Sequence, residues 1–264
     1  MTLLRSALYN LYFWTVTAVM AIGTLPIRFF VPDAALAYGK VWVRILLGGL
    51  APLAGIRIAV TGREHLPASG PALIASQHQS AFDTLVWLTL VPRPAYVVKR
   101  ELLSLPLFGP MLRPSGQIPI DRAGGAAAIR SLLAEAAAAL AADRQIIIFP
   151  EGTRVAPGAV GRLQPGIAAL ATQTGMPVIP VATDSGRLWG RRGFRKRAGT
   201  IHIAIHPPLP PRLSRQALLE RLRILYEAGP GSDGRVGAAL VENSVESPSA
   251  RLPAGQRNFF HSSD

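Results

Sequence analysis

The sequence predicts an α/β fold: a central, mostly parallel or mixed sheet flanked by helices, preceded by an N-terminal membrane-associated helical pair. Three observations carry this expectation. From residue 56 onward, short β-like runs alternate with helical stretches, the pattern of a layered α/β domain. Ala123 to Ala142 is rich in alanine, the strongest helix former. Ser6 to Ile27 holds 22 residues without a formal charge, long enough to cross a bilayer as a helix.

The elements follow in order. The uncharged N-terminal run is bounded by Arg5 and Arg28, with Tyr9, Tyr12, Phe13 and Trp14 near one end as interfacial anchors. A signal peptide is the competing reading, weakened by the length of the run and by the lack of a small-x-small cleavage site. A second apolar stretch, Ala34 to Ile56, is broken by Lys40 and Arg44. Its uncharged part, Ile45 to Ile56, contains Pro52 and is short for a span, so it is expected to enter one leaflet or lie on the surface. Both stretches also admit a reading as core helices. The β-like runs are IRIAV (56–60), ALIAS (72–76), AYVVK (95–99), QIPI (117–120), QIIIF (145–149), VIPVA (178–182) and TIHIAI (200–205). Leu85 to Leu88 reads as helix, and so does Ile167 to Thr174, which Gly175-Met176-Pro177 terminates. Gly229 to Asp264 turns to Gly, Ser, Pro and Asn and reads as a disordered tail. The expected organisation is therefore membrane-associated helices over 1–55, an α/β domain over 56–228, and a tail over 229–264.

Composition narrows the chemistry. The chain has 264 residues, 28 Lys and Arg against 15 Asp and Glu, and a net charge of +13. Such a surplus suits an anionic partner: nucleic acid, anionic headgroups or a phosphorylated substrate. The absence of cysteine excludes disulfides, thiolate metal sites and cysteine nucleophiles. No paired His/Glu motif supports a zinc site. Mean hydropathy is +0.29, high for a soluble protein and low for one with many spans.

Four segments carry candidate chemistry. His78 stands at a strand-to-helix junction with Asp83 five residues on. Imidazole suits proton transfer near neutral pH, and a carboxylate on its far nitrogen fixes the tautomer. By spacing alone, a capping role is an equal reading. Phe149-Pro150-Glu151-Gly152-Thr153-Arg154 leaves the most β-like strand, where open α/β sheets place ligands. Gly152 permits close backbone approach, Thr153 offers a hydroxyl, and Arg154 can grip phosphate with two donors; a plain strand-exit turn is the alternative. Gly116 to Arg122 ends in Asp121-Arg122, a second phosphate contact or a surface ion pair. Met176 to Val181 carries no reactive group. Arg187 to Arg197 holds six basic residues in eleven, with Leu188, Trp189 and Phe194 among them; the N-terminal run favours a membrane-surface patch over nucleic acid. His65, His202, His206 and His261 lack a partner pattern, and Ser80 lacks the nucleophile elbow of a serine hydrolase.

Together these segments resemble the glycerolipid acyltransferase family, specifically its bacterial lysophosphatidic acid acyltransferases. The ordered blocks are His78–Asp83, Gly116–Arg122, Phe149–Arg154 and Val178–Val181, joined by Lys99-Arg100-Glu101-Leu102-Leu103 and Pro106 to Gly109. The resemblance spans about residues 56 to 210. Gln77, Pro119 and Gln164 depart from the commoner family residues, which bears on substrate preference more than on the reaction. The resemblance implies acyl transfer from acyl-CoA or acyl-carrier protein to the free hydroxyl of a lysophospholipid, with no cofactor and no covalent acyl-enzyme. It implies His78 as base and Asp83 as its orienter. Glu151, Gly152, Thr153, Arg154 and Arg122 would line the phosphate site, and Lys99 would assist the oxyanion. The implied partners are the lysolipid, the thioester and a membrane surface at the cytoplasmic side, not nucleic acid. Another lysolipid, such as lyso-ornithine lipid, is the alternative acceptor.

Overall fold

The computed structural model describes residues 2–121, 123–191 and 193–231. Arg122 and all but the first three residues of the expected tail lie outside the described residues. Eight α-helices are present among the described residues: α1 (Thr2–Phe30), α2 (Ala35–Gly48), α3 (Phe82–Leu90), α4 (Gly109–Leu112), α5 (Gly125–Ala141), α6 (Gly166–Thr174), α7 (Ser185–Leu188) and α8 (Arg215–Ala228). The strands are β1 (Ile56–Thr61), β2 (Ala72–Ser76), β3 (Pro94–Lys99), β4 (Ile118–Ile120), β5 (Gln145–Ile148), β6 (Val178–Thr183) and β7 (Gly199–Ile205). They form one sheet in the order β1-β7-β6-β2-β5-β3-β4. Every pair is parallel except β6 with β7.

Both faces of the central strands are buried, which explains their unbroken apolar runs. Successive side chains alternate between two cores. Ile74, Ile147, Ile179 and Val181 pack beneath α1, α2 and α3, whereas Leu73, Ala75, Ile146 and Ile148 pack against α5, α6 and α8. Two prolines fit because of where they fall. Pro119 lies in β4, an edge strand paired only with β3, where a missing donor is tolerated. Pro180 lies inside β6, but its carbonyl accepts from His206 N–H on the β7 side. Its nitrogen faces the same way, and the ladder to β7 begins one residue later at Val181, so no bond to β2 is lost.

The N-terminal helices share a core with the sheet. Tyr9, Val43, Leu46, Leu50 and Ala54 join the same cluster as Ile74 and Ile203. The stretch after Ile45 thus turns one face onto protein. Lys40, which interrupts the apolar pattern, donates to the carbonyls of Val91 at 3.1 Å and Pro92 at 2.6 Å, so α2 docks on the end of α3. In α1 only Ser6 and Tyr9 are buried. Leu4, Leu11, Trp14, Ile22 and Phe30 point outward. Both N-terminal segments, Thr2–Phe30 and Pro32–Ala54, are long and apolar enough to cross a membrane. The apolar window in α1 holds no fully buried residue.

The parallel strands β2, β3 and β5 end on one edge of the sheet, which gathers the segments after Ser76, Lys99 and Ile148. This is the edge where ligands bind in open α/β sheets.

Candidate active site

After β2 the chain does not enter a helix at once. Residues 77–81 form a short loop fixed at almost every polar atom. Gln77 N–H donates to Val181 O at 2.9 Å, and its side-chain oxygen accepts from Thr183 N–H at 3.2 Å. Gln79 Oε1 accepts from Gly186 N–H at 3.2 Å. Val155 N–H donates to the His78 carbonyl at 2.8 Å, and His78 N–H donates to Glu151 Oε2 at 2.8 Å. The first turn of α3 then supplies Asp83, which is buried. Its Oδ2 accepts from the N–H groups of Gln79 and Ser80, each at 2.7 Å, and contacts His78 Nδ1 at 3.2 Å. A carboxylate accepting at Nδ1 places the imidazole proton there and leaves Nε2 with a free lone pair. The ring also stacks on Phe149, centroids 4.3 Å apart and planes 26° apart. Capping the loop and contacting the imidazole are therefore not alternatives here: one oxygen of Asp83 does both.

The loop after β5 supports this arrangement from below. Glu151 is buried, and desolvation pushes its carboxyl up to about 8. Its Oε1 has no hydrogen-bond partner among the described residues. Glu151 brackets the His78 backbone through Oε2. Gly152 has a φ of 68°, a left-handed conformation that glycine adopts without strain. The turn it permits brings Thr153 and Arg154 to the front of the site. Arg154 donates from Nη1 to Arg191 O at 3.2 Å, which ties it to the Arg-rich segment. Lys99 ends β3 and pairs with Glu101 at 3.0 Å in an exposed setting. His202, read from sequence as lacking a partner, contacts Asp184 at 3.1 Å, far out on β7.

In front of His78 opens a cavity of about 610 Å³. His78, Lys99, Gly152, Thr153 and Arg154 stand on its wall together with Phe149. Away from these polar groups it runs between α1, α2 and α3, bounded by Met20, Ala21, Tyr38, Gly39, Trp42 and Leu88. A polar mouth and a long apolar interior fit an amphiphile. Among the described residues, no group of three or more His, Asp or Glu side chains comes together to hold a metal.

Residues 57–184 match the family model described as Acyltransferase. The similarity to that family covers just under half of the chain. The matched region contains the loop from His78 to Asp83, the Glu151–Arg154 turn and Lys99. The chain is 36% identical over 168 residues to a 1-acyl-sn-glycerol-3-phosphate acyltransferase of Pseudomonas aeruginosa, covering 64% of this chain and 65% of that one. It is 32% identical over 170 residues to the human 1-acyl-sn-glycerol-3-phosphate acyltransferase alpha, covering 64% of this chain and 60% of that one. The match thus spans just under two thirds of these relatives' lengths. The fold matches the crystal structure of the 1-acyl-sn-glycerophosphate acyltransferase of Thermotoga maritima. The TM-score is 0.69 and the identity 22%, over 95% of this chain and all of that one. That likeness in fold extends to the helical pair ahead of the α/β domain.

Three features of the site escape sequence reading. The bracket role of Glu151 depends on a contact across 73 positions. Phe149 sits in a quoted block, yet its stacking on His78 leaves no spacing signal. The cavity wall draws on α1, α2 and α3 as well as β3 and the loop after β5, so no local pattern encodes it.

Proposed function

We propose that this chain transfers an acyl group from a thioester donor to the free sn-2 hydroxyl of 1-acylglycerol-3-phosphate, giving phosphatidic acid. The observation that carries the reading is a single arrangement. His78, held at Nδ1 by Asp83 at 3.2 Å, stands at the mouth of an apolar cavity that also presents Arg154. The family match and the activities named for the relatives support the choice of reaction.

In the proposed mechanism His78 Nε2 accepts the proton of the acceptor hydroxyl as its oxygen attacks the thioester carbonyl carbon. The tetrahedral oxyanion then collapses, the C–S bond breaks, and the imidazolium returns the proton to the departing thiol. Asp83 stabilises the imidazolium between these steps. Arg154 holds the acceptor phosphate, with Thr153 and the Gly152 backbone beside it and Arg122 assisting. Lys99, on the cavity wall, stabilises the developing oxyanion. The outward apolar face of α1 holds the site at the membrane surface, on the cytoplasmic side. A one-chain lipid then reaches His78 with its tail still in the bilayer.

A panel of lysolipids with labelled acyl-CoA tests the assignment. Lysophosphatidate is expected to be the best acceptor. Activity only on a phosphate-free acceptor, such as lyso-ornithine lipid, would overturn it. Arg154→Ala is expected to raise the apparent KM for lysophosphatidate by about tenfold or more, the value of a charge-assisted hydrogen bond. If the donor KM moved instead, Arg154 would not be the phosphate ligand.

The apolar cavity makes a separate prediction. A Cβ built at Gly39 meets only Leu88, at 3.6 Å, so a longer side chain there must project into the cavity. Gly39→Leu is expected to shift preference toward shorter acyl chains. Stability should hold or rise, because glycine inside a helix costs about 1 kcal/mol relative to good helix formers. An unchanged chain-length profile in competition assays would place the acyl group elsewhere.

A further inference from the structure

The Arg-rich segment after α7 frames a second hollow that the mechanism above does not use. It is a groove of about 620 Å³, lined by Pro157, Gly186, Leu188, Phe194 and the arginines 187, 195 and 197. All three arginines are exposed, and among the described residues no carboxylate pairs with any of them. Three arginines with no carboxylate partner thus line one concave surface beside the exposed Phe194 ring, and guanidinium donors suit phosphate.

The groove is built rather than incidental. Lys196 lies between Arg195 and Arg197 but points the other way and is buried. Its Nζ donates to Gly193 O at 2.7 Å and to the side-chain oxygen of Asn10, and it sits 4.7 Å from the Trp189 ring centroid. Ser6 Oγ accepts from Lys196 N–H at 2.9 Å, and Asn10 donates to Phe194 O at 2.8 Å. The segment is thus clamped to α1, and the arginines on either side of Lys196 face outward.

The groove also abuts the catalytic loop. Gly186 forms part of its wall and donates to Gln79, the residue after His78, at 3.2 Å. A Cβ at Gly186 would come within 2.9 Å of the Gln79 side chain, so the wall there is one backbone thick. On the other side Arg154 reaches Arg191 O at 3.2 Å. The groove therefore lies beside the loop that carries His78 and the turn that carries Arg154.

We infer that this groove binds the nucleotide head of acyl-CoA, its phosphates on Arg187, Arg195 and Arg197 and its adenine against Phe194. The inference rests on the acyl-transfer reading and deepens it by choosing the donor. A CoA thioester is the donor class that carries several phosphates and an aromatic base on a flexible arm, matching three arginines and one ring in a hollow. A carrier protein would present carboxylates over a broad surface. With the head in the groove, the pantetheine arm runs past Gly186 and Arg154 to deliver the thioester carbonyl at His78.

The test uses the full chain in detergent and the double variant Arg195→Glu/Arg197→Glu, with circular dichroism as a fold control. Calorimetric titration with CoA is expected to show at least tenfold weaker binding in the variant, and His78→Ala is expected to bind CoA normally. Wild type should prefer CoA over 3′-dephospho-CoA, and the variant should not. In steady state the variant should raise the KM for acyl-CoA about tenfold while leaving that for lysophosphatidate within twofold. Unchanged CoA binding with an unchanged donor KM would overturn the inference. So would a defect confined to an acyl-carrier-protein donor, or to flotation with vesicles of anionic phospholipid. If wild type binds CoA through these arginines yet transfers nothing to lysophosphatidate, the acceptor assignment fails and the groove stands.

Discussion

His78→Ala is expected to lower kcat for acyl transfer by about 10²–10⁴-fold, the usual contribution of a positioned general base. The geometry argues for a loss in kcat and not in binding. His78 is one small side chain on a wall that Arg154 and many apolar residues share. The backbone of the loop is held by Glu151, Val155 and Asp83 through atoms that alanine retains. The variant should therefore fold, associate with membranes and bind both substrates nearly as wild type does. Asp83→Asn should show a smaller kcat loss with a different signature. An amide at that position can donate to Nδ1, which would favour the tautomer with its proton on Nε2, the wrong one for a base. The check is single-turnover kinetics with both variants beside thermal melts. Turnover of His78→Ala within a fewfold of wild type would remove the base role. A matching loss of stability would reduce His78 to a packing residue against Phe149.

How much of this was legible in the sequence varies by the range of the interactions. The sheet was readable because ALIAS and QIII are buried on both faces, and such runs need no tertiary information to stand out. Prolines 119 and 180 did not mislead, since one sits at an edge and the other turns its nitrogen away from β2. Asp83 was readable because five residues separate it from His78 along one turn and the start of a helix. Lys40 was misleading. It looked like a break in an apolar helix, and the structure satisfies its ammonium with two carbonyls from the end of α3. Glu151 was located by its block but not by its role, because its hydrogen bond to His78 joins two strand exits brought together only by the β2–β5 pairing. The Arg-rich segment was read as a membrane-surface patch. Nothing in its composition separates a flat patch from a groove, and the difference comes from Lys196 folding inward.

Glu151 then makes the sharper prediction. Glu151→Ala leaves the His78 N–H without its acceptor in a buried site, which costs about 1–3 kcal/mol, and adds the cost of the cavity left behind. Activity should fall by about 10²-fold, since a catalytic group misplaced by about 1 Å can lose that much. Glu151→Gln keeps an oxygen for the same N–H and should retain activity within a fewfold. The pair also differs in pH dependence. An unfolded glutamate titrates near 4.5, and in the fold burial raises Glu151 to about 8. Between these values the folded protein holds a proton that the unfolded chain has released. The stability this contributes is fully present below about 4.5 and is lost as pH rises through about 8. Glutamine does not titrate, so wild type should lose stability relative to Glu151→Gln across this window. The slope can reach about 1.4 kcal/mol per pH unit for one proton. Denaturant melts of both proteins from pH 5 to 9 measure it. Parallel curves would mean that Glu151 is ionised throughout. If glutamine proved as damaging to activity as alanine, the carboxylate charge, and not the acceptor it offers to His78, would be what the site requires.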